Sequence, residues 1–200
     1  SERDGWGHLY RYDARTGALL NRITRGEFVV RDIVRVDEAA ETVYFLAGGR
    51  EPGRDPYFRH LYRVGLDGTG LELLTPEDAD HTVTFAPGGD YFVDSYSTVG
   101  SAPVTAVRRA DGTLVQTVVE ADISALREEG WRPPERVRTV ADDAETDLHG
   151  LIYYPSDFDP QRSYPVLDSC YPGPQAGRVP KSFASYDWSA QAIAELGFIV

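Results

Sequence analysis

Few side chains in this chain of 200 residues stand at spacings that chemistry requires. The four histidines, His8, His60, His81 and His149, are far apart and follow no metal-ligand spacing, so a zinc site has no support. A single cysteine, Cys170, excludes an internal disulfide and a cysteine-rich metal centre. Its apolar surroundings, Val166-Leu167-Asp168-Ser169-Cys170-Tyr171, predict a buried strand in which the thiol serves as a small hydrophobe. The acidic run Ala141-Asp142-Asp143-Ala144-Glu145-Thr146-Asp147 lacks the ligand order and glycine of a calcium loop and reads as a solvated hairpin turn. Asp13, Asp67 and Asp111 each fall at a turn, where a short carboxylate bonds nearby backbone amides, and none is paired for acid–base work. No Gly-x-Ser-x-Gly nucleophile elbow occurs. What remains is Tyr171, followed by Pro172-Gly173-Pro174-Gln175, a stiff turn with glycine between two prolines. On the residues alone, Tyr171 either packs at a strand end or presents its hydroxyl to a ligand.

The elements that must hold Tyr171 follow from the pattern around it. Tyr164-Pro165 leads into the run 166–171. A polar loop precedes Trp188-Ser189-Ala190-Gln191-Ala192-Ile193-Ala194-Glu195-Leu196, in which Trp188, Ala192, Ile193 and Leu196 share one face at helical spacing and Gly197 is a C-cap. Phe198-Ile199-Val200 starts another strand. Strand, glycine loop, helix and strand predict a β-α-β unit, and ligand sites in such sheets lie beyond the carboxyl ends of the strands, where the 171–174 turn falls. Upstream, Arg136–Val140 and Leu148–Tyr154 flank the acidic turn as a hairpin. Asp122–Gly130 predicts a short helix, and Trp131-Arg132-Pro133-Pro134 breaks regular structure at a domain boundary, with Trp131 as an interface plug.

The first 120 residues repeat themselves. His8-Leu9-Tyr10-Arg11-Tyr12-Asp13 with Thr16-Gly17 returns as His60-Leu61-Tyr62-Arg63-Val64 with Asp67-Gly68. A weaker copy is Val104–Arg108 with Asp111-Gly112. Each copy is a hairpin turned at glycine. Between copies lie two more strands, Val29–Val34 with Thr42–Ala47 and Thr82–Phe85 with Tyr91–Tyr96. Four strands in roughly 45 to 50 residues is the size of one propeller blade. Tyr10, Tyr12, Tyr44, Tyr62 and Tyr91 are expected to pack against neighbouring blades. Two and a half blades cannot close a propeller, which takes about four to eight, so further blades are expected before Ser1. The expected fold class is therefore partial all-β propeller blades followed by the start of an α/β domain. The boundaries are 1–121 for the propeller part, 122–134 for the linker and 135–200 for the second domain.

Composition narrows the partners. A formal charge of -12, spread along the chain, disfavours nucleic acid. It suits solubility and a cationic group such as a peptide amino terminus. No signal peptide or membrane span is visible, no cofactor site is read, and no cellular location follows.

The segments Ser1-Glu2-Arg3-Asp4-Gly5-Trp6-Gly7-His8-Leu9-Tyr10, His60-Leu61-Tyr62-Arg63, Leu148-His149-Gly150, Tyr164-Pro165-Val166 and Tyr171-Pro172-Gly173-Pro174, in that order, resemble the dipeptidyl-peptidase IV branch of the prolyl oligopeptidase family. The resemblance implies a serine exopeptidase that releases amino-terminal dipeptides after proline or alanine through an acyl-enzyme, with a propeller capping an α/β-hydrolase. It implies that the Tyr171 hydroxyl donates to the developing oxyanion, and that Ser, acid and His of the triad lie after Val200. It also implies peptide substrates and, in complete proteins, frequent homodimerisation. The glutamate pair that grips the substrate amino terminus in such enzymes is not supplied by Glu128-Glu129, which fall in the connecting helix. Other outcomes of the same architecture are an acylaminoacyl peptidase, an oligopeptidase or an esterase; a non-catalytic propeller binding module is the reading from outside enzymes.

Overall fold

A computed structural model describes residues 1–171, 177–187 and 189–200. The chain divides into two compact units, one of residues 1–97 and 103–120, the other of residues 98–102 and 121–200.

The first unit is antiparallel β-sheet throughout. A hairpin of β1 (Tyr10–Tyr12) and β2 (Leu19–Arg22) comes first. A four-stranded meander follows, of β3 (Val29–Asp37), β4 (Thr42–Gly48), β5 (His60–Gly65) and β6 (Glu72–Leu73), in sequence order. A second meander has β7 (Asp80–Phe85), β8 (Tyr91–Thr98), β9 (Ser101–Arg109) and β10 (Leu114–Glu120), again side by side in sequence order. One hairpin followed by two four-stranded meanders is the strand grouping that the repeat predicts, consistent with part of a β-propeller.

Strand β4 is buried on both faces, which explains its unbroken apolar run. Val43, Phe45 and Ala47 point one way and pack with Ile23, Phe28, Tyr62 and Val64, tying the meander to the first hairpin. Tyr44 and Leu46 point the other way and pack with Leu61, Leu74 and Phe92, tying it to the second meander. Side chains alternate along a strand, so one strand between two apolar layers must be apolar at every position. Phe45, Leu61 and Tyr62 are fully buried, and truncating such a side chain typically costs about 2–5 kcal/mol. Of the five strand tyrosines, Tyr44 and Tyr62 occupy this core as expected. Tyr12 and Tyr91 do not: both are exposed, and Arg109 lies over the Tyr91 ring at 5.5 Å, so guanidinium stacking replaces blade packing there. Strand β10 is exposed along its whole length.

Repetition extends to atoms. The Thr24 hydroxyl accepts the Leu9 N–H at 2.9 Å, and the Thr75 hydroxyl accepts the Leu61 N–H at 2.9 Å. Both threonines are buried, and at Leu61 the hydroxyl satisfies an amide that is itself buried. The turn aspartates act as expected. Asp13 Oδ1 accepts the amides of Arg15 and Thr16, Asp67 Oδ1 that of Thr69, and Asp111 Oδ1 that of Thr113. Backbone hydrogen bonds from Thr16, Thr69 and Thr113 hold the three carboxyls below the usual range.

The second unit opens with a short helix, α1 (Ser124–Glu128), and a hairpin of β11 (Glu135–Val140) and β12 (Asp147–Ile152). The acidic turn between these strands is a hairpin turn. Asp143 accepts the Thr146 hydroxyl and the amides of Thr146 and Glu145, and its carboxyl falls to about 2. Trp131 is half-buried and its ring lies 5.4 Å from that of Phe183, within the same unit. Helix α2 (Ala190–Ala194) is shorter than the sequence predicts. Its first turn is held by Asp187, whose Oδ1 accepts the amides of Ser189 and Ala190 at 2.9 and 2.6 Å. Burial works to raise the Asp187 carboxyl, but these bonds outweigh it and leave it low. Trp188 lies outside the described residues. Ala194 is buried, but Leu196, assigned above to the same apolar face, is 77% exposed because the helix ends before it. Gly197 takes the left-handed conformation of a C-cap, with φ 95°.

Among the described residues, no helix is long and apolar enough to cross a membrane.

Candidate functional site

Tyr171 ends the segment that starts at Tyr164-Pro165. Val166 forms a parallel bridge with Ile199, where the Leu167 amide donates to Ile199 O and the Ile199 amide to Pro165 O, both at 2.9 Å. On the other side of this strip, Tyr153 and Val200 exchange both backbone bonds, at 2.9 and 3.1 Å, the antiparallel pattern. Residues 199–200 therefore run between Tyr153 and Val166, and α2 carries the chain back to them.

Two expectations for residues 166–171 fail. The run is not a continuous strand, since its pairing is confined to the bridge at Val166. Nor is it buried: Val166 is 75% exposed, and Cys170 is exposed as well. An apolar run is buried only where other elements cover it, and among the described residues only residue 199 and its neighbours pair with this one. Tyr171 itself is 55% exposed. Pro172, Gly173, Pro174 and Gln175, the rest of the turn, lie outside the described residues. Arg178 extends toward both Ser169 and Ser189, with Nη2 3.5 Å from each hydroxyl. A cleft in this unit is lined by Trp131, Pro134, Tyr153, Tyr154, Gln191 and Glu195. Glu128 and Glu129 stand at the end of α1, as expected of the connecting helix.

A family model described as the dipeptidyl peptidase IV N-terminal region matches residues 1–103, which hold β1 to β8 and the start of β9. The chain belongs to the dipeptidyl peptidase IV family. Its likeness to family members runs on past the matched region. It is 32% identical over 204 aligned residues, 98% of this chain, to the Emericella nidulans protein "Probable dipeptidyl-aminopeptidase B". It is 30% identical over 204 residues, again 98% of this chain, to "Dipeptidyl-aminopeptidase B" of Aspergillus niger. In each case the alignment covers 22% of the relative. The crystal structure of Porphyromonas gingivalis dipeptidyl peptidase 4 superposes on the whole chain with a TM-score of 0.77 and 30% identity, covering 27% of that structure. The chain thus spans about a quarter of the length of the proteins it matches.

One cluster in this family member was not legible in its sequence. Glu77, His81, Asp94 and Arg108 meet beside β7, β8 and β9. His81 Nδ1 lies 2.8 Å from Asp94 Oδ1, Arg108 Nε donates to Asp94 Oδ2 at 3.0 Å, and Arg108 Nη2 donates to Glu77 Oε1 at 2.5 Å. His81 and Asp94 are wholly buried and Arg108 nearly so. Glu77, His81 and Asp94 also bring one ligand atom each within 4.8 Å of one another, the spread of a metal site. The register explains the meeting: His81 pairs with Tyr96 and Val83 with Asp94, so His81 and Asp94 share a face across the strands. The sequence carries no local signal for this, because the four residues are strewn from 77 to 108.

Proposed function

We propose that these 200 residues form part of a serine exopeptidase of the prolyl oligopeptidase type, which releases amino-terminal dipeptides after proline or alanine. The observation that carries this reading is the continuous likeness to dipeptidyl aminopeptidases over 98% of the chain, through the second unit as well as the blades. The second unit is then the start of an α/β-hydrolase domain. The parallel bridge between Val166 and Ile199, with α2 between the two segments, supports that reading, because parallel neighbours need such a crossover.

Tyr171 is the residue of this chain that contributes to catalysis in this account. Attack of a serine on the scissile carbonyl places negative charge on the carbonyl oxygen. A hydroxyl held beside that oxygen donates a hydrogen bond to it and stabilises the tetrahedral intermediate, an effect typically worth about 3–4 kcal/mol. The triad is not supplied here, since no Gly-x-Ser-x-Gly is present. The substrate in this reading is a peptide.

The test uses the complete protein and two amides of a dipeptide ending in proline, one with a free amino terminus and one acetylated. Cleavage of the free substrate alone supports the exopeptidase. Preference for the acetylated one assigns an acylaminoacyl peptidase, and cleavage of neither leaves a binding module.

A further inference from the structure

We infer that His81 carries a proton on both ring nitrogens, and that Glu77, His81, Asp94 and Arg108 form a charge-neutral ionic clamp and not a metal site. His81 Nδ1 lies 2.8 Å from Asp94 Oδ1, and Nε2 lies 3.1 Å from the Glu77 backbone carbonyl. A carbonyl only accepts, and so does an ionised carboxylate. Asp94 Oδ2 accepts from Arg108 Nε at 3.0 Å, so both carboxylate oxygens face donors. A neutral ring would set a nitrogen lone pair against an oxygen lone pair in a site with no access to water, at a cost that only the second ring proton removes.

The charges then cancel. His81 and Arg108 contribute two cations, Glu77 and Asp94 two carboxylates, and each cation touches a carboxylate. The surrounding groups fit this balance. The His60 ring on β5 is 5.2 Å from that of His81, and burial, followed by the positive charge of His81, holds His60 to the neutral form. The Tyr96 ring on β8 lies 5.1 Å away on another side, and Arg54 Nη1 reaches the Glu77 carbonyl at 3.4 Å. A metal ion would need a ring lone pair, and both nitrogens are occupied by hydrogen bonds. It would also have to displace Arg108 from two carboxylates. Glu77 Oε2, buried and without a hydrogen-bond partner, is where such an ion would enter, so Zn²⁺ is the competitor to test. The clamp joins the residue-77 turn to three strands.

The experiment is a long-range ¹H–¹⁵N spectrum of the folded 200-residue chain near neutral pH. His81→Gln serves to assign its ring signals; contacts of the ring protons with Tyr96 assign them in the unmodified chain if that variant does not fold. The expected result is two protonated nitrogens on His81 and one bare nitrogen on His60. A bare Nδ1 or Nε2 on His81 overturns the inference. Equimolar Zn²⁺ is expected to leave the His81 signals unmoved, and loss of a His81 ring proton on adding it would assign the cluster to a metal.

Discussion

Gly112 rests on the backbone of Leu74: a Cβ at position 112 would stand 2.8 Å from Leu74 O and 3.0 Å from its Cα. The contact has a twin one blade earlier, where a Cβ on Gly68 would stand 3.0 Å from the carbonyl oxygens of both Arg22 and Ile23. Both glycines lie at positive φ, 86° and 88°. Each Asp-Gly turn therefore seats on the strand end of the preceding hairpin, immediately before the threonine that satisfies the Leu9 or Leu61 amide. Glycine is required twice over there, for its backbone conformation and for the close approach.

Gly112→Ala should therefore destabilise the chain by about 1–3 kcal/mol, since the new methyl meets backbone that cannot swing aside. Gly70→Ala is the control: its φ is also positive, at 69°, but no atom lies within 4 Å of its Cβ position. Chemical denaturation of the two variants separates steric contact from conformational strain. Equal losses would remove the seating contact from the account.

Thr75→Val keeps shape and removes the acceptor of the Leu61 amide, a bond of 2.9 Å inside the core. Stranding a buried N–H costs about 1–3 kcal/mol. The same change at Thr117, on exposed β10, should stay within about 0.5 kcal/mol. Amide exchange of Leu61 should also quicken in Thr75→Val. Unchanged protection of that amide would contradict the role given to the hydroxyl.

These features also mark what the sequence reveals. Strand positions and the Asp-Gly turns were legible because each depends on neighbours within a few residues: alternation along a strand, and a carboxylate bonding the next amides. The seating of Gly68 and Gly112 was not, since it needs the previous blade in place. The ionic cluster was hidden for the same reason, as Glu77 and Arg108 meet only once β7 to β9 align. Cys170 and Leu196 show the opposite failure. Apolar neighbours suggested burial for both, yet burial is conferred by covering elements, and none of those described covers them. At Tyr171, sequence placed the residue at the end of its segment, while the turn that follows lies outside the described residues.

Acid should weaken the first unit before its carboxylates titrate. Burial is the chief cause that lowers both His8 and His60 below the ordinary histidine value. The unfolded chain then binds more protons than the folded one once pH drops below about 6.5, so stability is full above that value and declines beneath it. Thermal midpoints measured from about pH 7.5 down to about pH 5.5 should fall, and His60→Gln should fall less steeply than the unmodified chain. An equal slope in the variant would contradict a neutral buried His60.

The role of Tyr171 is tested most directly by kcat on a dipeptide-proline amide, measured for the complete protein and for its Tyr171→Phe variant. Phenylalanine keeps the ring and removes only the donor. The account predicts that kcat falls by about 100-fold or more while KM changes little, because the bond forms only as charge appears on the carbonyl oxygen. A fall of less than about tenfold would contradict it.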